Sequence, residues 1–140
     1  METTSAARIQ ASFRVLAPHA VELVDAFYAR LFEAAPPARA LFPADMASQK
    51  RHLLAALALV VREAEQLEQL APALREMGAR HVSYGARPEH YPLVRDTLLA
   101  TLAAFAGAHW TAQLAADWRG ALDRVAALML EGAQRAENAA

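Results

Sequence analysis

An all-α fold is predicted by three observations. Alanine, leucine, arginine and glutamate dominate the chain and only five residues are glycine, a composition that favours helix throughout. No apolar–polar alternation persists long enough for a strand, and no Asn-Gly or Asp-Gly pair marks a two-residue hairpin. Prolines and glycines divide the chain into six or more amphipathic pieces of unequal length, which suits an irregular helical pack better than a bundle of equal rods.

A first helix is expected from about Thr4 to Leu16, with Pro18 marking its end. A second covers His19 to Ala34 and sets Val21, Val24, Tyr28, Leu31 and Phe32 near one face. Pro36-Pro37 stops it and starts a short helix, since proline is tolerated in a first turn. That piece ends at Phe42-Pro43. A long helix is expected from Ala47 to Ala64, and another from Glu65 or Gln66 to Tyr84 with a break near Ala71-Pro72, where Gly85 caps the end. Pro88 opens the next helix, which runs to Ala106 and is followed by Gly107. Thr111 is a candidate N-cap for the last helix, whose stripe is Leu114, Trp118, Ala121, Leu122, Val125, Met129 and Gly132.

The 140 residues suit one domain, 1–140, and the 56% apolar content supplies a core. Fourteen basic residues face fifteen acidic ones, for a net charge of −1, so no basic surplus points to nucleic acid. Without cysteine there are no disulfides, thiol nucleophiles or thiolate metal sites. The longest apolar run, Leu53 to Val61, is too short to span a bilayer, and Met1 to Ile9 has no signal-peptide core. The expectation is a cytoplasmic protein with no membrane partner. Serine triads, phosphate-cradling glycine loops and zinc signatures give no match.

The most informative local feature is His81. Leu70, Leu74, Met77 and His81 are spaced four, three and four apart, which puts them on one side of a helix, with Gly78 beside them. An imidazole at the inward end of such a stripe needs a partner: a backbone carbonyl, a carboxylate or a metal. The stripe alone does not choose among them. A facing wall exists in Gln49, Leu53, Ala56, Leu57 and Val60, which share a face of the long helix. Taken alone, Gln49 reads as an exposed residue at a helix start.

The ordered set says more than any single member. Ala26-Phe27-Tyr28-Ala29-Arg30-Leu31-Phe32 is followed by Pro36-Pro37-Ala38-Arg39-Ala40-Leu41-Phe42-Pro43, then by Asp45-Met46-Ala47-Ser48-Gln49-Lys50-Arg51-His52-Leu53. Gly78-Ala79-Arg80-His81-Val82-Ser83-Tyr84-Gly85 and Pro88-Glu89-His90-Tyr91-Pro92-Leu93-Val94 come later. In order and spacing, from about Ser5 to Glu131, the chain resembles the globin family, in the branch of flavohaemoglobin globin domains and single-domain bacterial haemoglobins. The resemblance implies a globin fold of six to eight helices around a pocket for haem b, iron protoporphyrin IX.

By that resemblance His81 is the proximal ligand of the iron and Phe42 stacks on the haem. Tyr28 and Gln49 form the distal pair that stabilises the bound gas, and Leu53 limits access to the metal. Leu57, Met77, Val94 and Leu98 line the cofactor. His52 and Arg80 are candidates to meet its propionates, and His52 is also a candidate sixth ligand of the oxygen-free iron. Lys50 and Arg51 read as a solvated face with a propionate bridge as the functional option. His19, His90 and His109 read as surface or capping residues, and Trp110, Trp118 and Phe27 as packing. The implied ligands are oxygen, nitric oxide and carbon monoxide. A tyrosine hydroxyl and a glutamine amide donate hydrogen bonds that favour oxygen over carbon monoxide, which carries less charge.

Two departures bear on function. Relatives with an attached reductase carry a flavin- and nicotinamide-binding segment, and these 140 residues hold none, so a separate reductase is expected. Those relatives also support the proximal histidine with a tyrosine and a glutamate. Tyr91 occupies the tyrosine place, while the glutamate place falls at Ala133. Glu131 is two residues, or about 200°, away round a helix. The proximal histidine is then a weaker electron donor. Reversible oxygen binding with nitric oxide detoxification is the leading expectation. The alternatives are a nitric oxide dioxygenase served by a reductase in trans, a haem-based gas sensor, and a globin-like module without haem.

Overall fold

A computed structural model describes residues 4–139. The Met1–Ile9 reading therefore falls partly on residues 1–3, outside the described part. Among the described residues there are six α-helices and no strand: α1 Ser5–Leu16, α2 Ala20–Ala34, α3 Ala47–Arg62, α4 Ala71–Ser83, α5 His90–Ala106 and α6 Ala112–Ala139. Short 3-10 turns at Ala17–His19, Pro36–Leu41, Ala64–Leu70 and Gly107–His109 join several of them.

The ends follow local chemistry. Thr4 is the N-cap of α1, its hydroxyl accepting the Ala7 N–H at 3.0 Å, and Thr111 does the same for the Leu114 N–H at 3.0 Å. Pro18 and Pro36-Pro37 fall inside 3-10 turns. At the end of α4, Gly85 takes φ +91°, a conformation that glycine adopts without a Cβ penalty. Its N–H donates to Val82 O and the Ala86 N–H donates to His81 O, the two bonds of a Schellman cap.

Three expectations are corrected. Pro88 does not open α5: it lies in a turn two residues before His90. The long helix stops at Arg62, and the break expected near Ala71-Pro72 is a 3-10 stretch over Ala64–Leu70, so α4 starts at Ala71. Val21 is 67% exposed; the buried face of α2 is Leu23, Val24, Phe27, Tyr28 and Leu31.

Buried side chains form two clusters. The larger joins α1, α2, α3, α5 and the first half of α6 around Phe27, Leu102 and Trp118. The smaller joins Ala71 and Leu74 to Leu128 and Met129, with Met77 and Tyr91 against it. The two clusters share α6. Its Trp118 is fully buried and donates to Ser12 Oγ at 3.0 Å, while Asp117 accepts from Arg8 Nε at 2.6 Å.

The helix α4 packs on α6 and on the 3-10 stretch that precedes it, and has no comparable packing on α3 or α5. The α4–α6 crossing is made by glycine. A Cβ built on Gly78 would lie 1.8 Å from Met129 O, and one on Gly132 would lie 1.8 Å from Arg75 O. Arg75 Nε reaches Glu131 Oε1 at 3.1 Å beside the crossing.

Candidate functional site

Tyr28 is carried into the larger cluster by the apolar face of α2 and is 4% exposed. Its ring meets Phe27 edge-on at 5.0 Å and Phe42 edge-on at 5.6 Å, and lies tilted against Phe32 at 5.9 Å. Such contacts between aromatic rings fix the direction of the hydroxyl. Gln49, half-buried in the first turn of α3, donates from Nε2 to Tyr28 Oη at 3.1 Å. Burial pushes the phenol above its usual pKa, and the Gln49 bond offsets part of that rise, so Tyr28 is a neutral donor at pH 7.

Leu53 and Phe42 are half-buried against the same cluster, and Leu57 and Leu98 lie inside it. Arg39 holds Phe42 in place: its guanidinium donates to the carbonyls of Phe42, Pro43 and Ala44 at 3.2, 2.9 and 3.1 Å, and lies 5.3 Å above the Phe32 ring. Sequence reasoning missed Arg39, because its partners are backbone carbonyls and leave no trace in residue type.

His81 stands on α4, half-buried. Its Nδ1 is 2.7 Å from Met77 O. A carbonyl only accepts, so Nδ1 carries a proton, and in the neutral imidazole Nε2 is the nitrogen that keeps its lone pair. Tyr84, 57% exposed, meets the His81 ring edge-on at 5.5 Å. Val94 on α5 is 37% exposed and Leu41 39%. The structure thus brings Tyr28, Gln49, Phe42 and Leu53 to the larger cluster, and Met77 and Tyr91 to the smaller. His52 is exposed, and Arg80 is half-exposed in a pair with Glu76 at 3.2 Å. His90 caps the turn before α5, accepting the Arg87 N–H at 3.0 Å on Nδ1.

The donor set suits an apolar group with a metal centre: one imidazole nitrogen and apolar side chains. A helix bearing an imidazole with a free Nε2 has little packing on the helix that carries Gln49 and Leu53. Leu41 and Tyr84 are exposed beside each other at the end of α4, apolar surface that a large ligand can cover. Among the described residues no group of three or more acidic, histidine or cysteine side chains forms a separate metal site.

Against the cluster shared by α4 and α6, Tyr91 Oη is buried and has no hydrogen-bond partner, and burial raises its pKa. A cavity of about 300 Å³ beside it is lined by Val82, Pro88, Tyr91, Leu130, Ala133 and Gln134 among others. Glu131 points instead to Arg75. No helix among the described residues is long and apolar enough to cross a membrane.

The globin family profile matches residues 25–129. A flavohemoprotein of Rhizobium meliloti is 31% identical over 126 residues, covering 86% of this chain and 31% of the relative. One of Bordetella parapertussis is 32% identical over 137 residues, 96% of this chain and 34% of the relative. The chain thus spans about a third of the length of the curated relatives it matches. Among solved structures, an engineered carbene transferase made from a Rhodothermus marinus protein, itself named as a candidate nitric oxide dioxygenase, superposes with a TM-score of 0.86. It is 27% identical, covering 99% of this chain and 97% of that one. A bacterial globin from Campylobacter jejuni gives 0.83 at 20% identity, over 96% and 97% of the two chains; it supports the fold alone.

Proposed function

The chain belongs to the globin family, and from that premise we propose a haem b protein that binds oxygen and other diatomic gases reversibly and serves in removing nitric oxide. The haem, when bound, supplies an iron centre for the gas. The observation that carries the proposal is the Gln49–Tyr28 hydrogen bond at 3.1 Å. It leaves the phenol proton of a buried, neutral tyrosine free to donate to a small polar ligand.

The roles of the other residues follow from their atoms. His81 Nε2 holds the iron, and Met77 O fixes the ring through Nδ1. Phe42, braced by Arg39, presents its ring to the cofactor face. Leu53 and Leu57 would keep water from the distal side, Val94 and Leu98 would line the proximal face of the cofactor, and His52 and Arg80 would meet its propionates. A dry pocket strengthens the Tyr28 bond, because no water competes for the proton.

A second reading is a nitric oxide dioxygenase served by a separate reductase. The named character of the Rhodothermus protein favours it. The unpartnered Tyr91 hydroxyl speaks for a weak electron push from His81, and so for binding over fast turnover.

Visible spectra of the ferric, dithionite-reduced and oxygenated protein test the proposal. A Soret band, one broad visible band on reduction and a stable two-banded oxygenated form are expected. Two sharp bands in the reduced, ligand-free protein would put a protein side chain on the iron, with His52 the first to mutate. No Soret band after haem is added overturns the proposal.

A further inference from the structure

The geometry points to Gly132 and Gly78 as positioning residues for His81: the methyl-free crossing of α4 on α6 sets where the imidazole stands. This rests on the proposed haem-binding function.

The helix α4 has no substantial packing on α3 or α5. Its position relative to Tyr28, Gln49 and Phe42, all on the larger cluster, is therefore set mainly through α6, with lesser support from the 3-10 stretch Ala64–Leu70 and from Tyr91. The crossing has no slack. At both glycines the place a Cβ would take is 1.8 Å from a backbone carbonyl oxygen of the other helix, and no side-chain rotation relieves a clash with backbone. One added methyl forces the helices apart by roughly 1.5 Å before ordinary contact is restored. Glu131, next to Gly132, ties the same turn of α4 through Arg75 at 3.1 Å.

The direction of the shift matters. His81 follows Gly78 by three residues, which places it about 60° round α4 from the face that meets α6. Moving α4 off α6 therefore carries the imidazole mainly sideways and tilts its Nε2. Neither glycine contacts the cofactor in this reading, so the effect passes through His81. Gly120 lies on the same helix with nothing within 4 Å of a built Cβ, and is the matched control.

The experiment compares wild type, Gly132→Ala and Gly120→Ala, each loaded with haem. Haem transfer to an excess of a scavenging apoprotein is timed, and the iron–histidine stretching band of the ferrous, ligand-free protein is recorded by resonance Raman. Gly132→Ala is expected to lose haem roughly tenfold faster and to show a lowered, broadened band, while Gly120→Ala matches wild type. A Gly132→Ala protein that folds, binds haem and behaves as Gly120→Ala does overturns the inference. If Gly132→Ala does not fold, Glu131→Ala decides: it removes the acceptor that ties Arg75 without adding bulk, and a changed band supports the inference while an unchanged band overturns it. A wild type without a Soret band fails the functional proposal itself, before any variant is made.

Discussion

Gln49 Nε2 donates to Tyr28 Oη at 3.1 Å, so one polar group is spent on orienting the other. The amide fixes the phenol, and under the proposed function the phenol keeps its own proton for the ligand. Tyr28→Phe removes that donor and leaves the ring contacts in place. Oxygen dissociation is expected to speed up about tenfold, the equivalent of about 1.4 kcal/mol, and carbon monoxide dissociation to change much less. Stopped-flow ligand replacement measures both, and an unchanged oxygen rate removes the role assigned to Tyr28.

Gly85 holds φ +91° in the cap that closes α4, and a Cβ there would meet Leu41 Cδ2 at 3.1 Å. Gly85→Ala is expected to cost about 1–2 kcal/mol, read as a lower urea midpoint. Gly120→Ala, mid-helix and open, should gain about 0.5–1 kcal/mol from helix propensity.

Tyr91 carries a buried hydroxyl with no partner. Tyr91→Phe deletes the orphan group and keeps the ring that packs on the smaller cluster. A gain of about 1 kcal/mol is expected in chemical unfolding.

Asp117 ties α6 to α1. It accepts from Arg8 at 2.6 and 3.0 Å and from Gln113 at 3.0 Å, and the Arg8 bond, ahead of all else, holds its carboxyl below the usual range. The folded pKa is below the unfolded value of about 3.9. The stabilisation is therefore complete above that pH and disappears as the pH falls through the folded value. Asp117→Asn should cost about 2 kcal/mol at pH 7, with the gap to wild type closing in unfolding curves below about pH 4.

The fold was legible where the deciding chemistry is local. Thr111, Pro18, the Pro36-Pro37 pair and Gly85 act on the residues next to them, and each ended or capped a helix near its expected place. The family match likewise upholds the globin fold expected from the ordered motifs. Val21 was misplaced because a single turn of apolar residues at a helix start does not say which side the core takes. Asp117 stayed hidden because its partner, Arg8, is 109 residues away. Gly132 was legible as a member of the α6 stripe, but that a carbonyl of α4 presses on it depends on the approach of two helices. Of the site, the spacing put His81 on an apolar stripe; the Met77 carbonyl that orients it appears only once the helix is built.

The order of the helices along the chain gives the α4–α6 crossing a consequence for biosynthesis. As the polypeptide leaves the ribosome, α1, α2, α3 and α5 all emerge before the turn of α6 that carries Gly132, so the larger cluster can begin to assemble while α4 still lacks its main support. His81 is made well before Gly132 and seated only after it. Haem capture by a growing chain would thus wait for the turn of α6 that carries Gly132, and the emergence of that turn would decide when the cofactor is gripped from the proximal side.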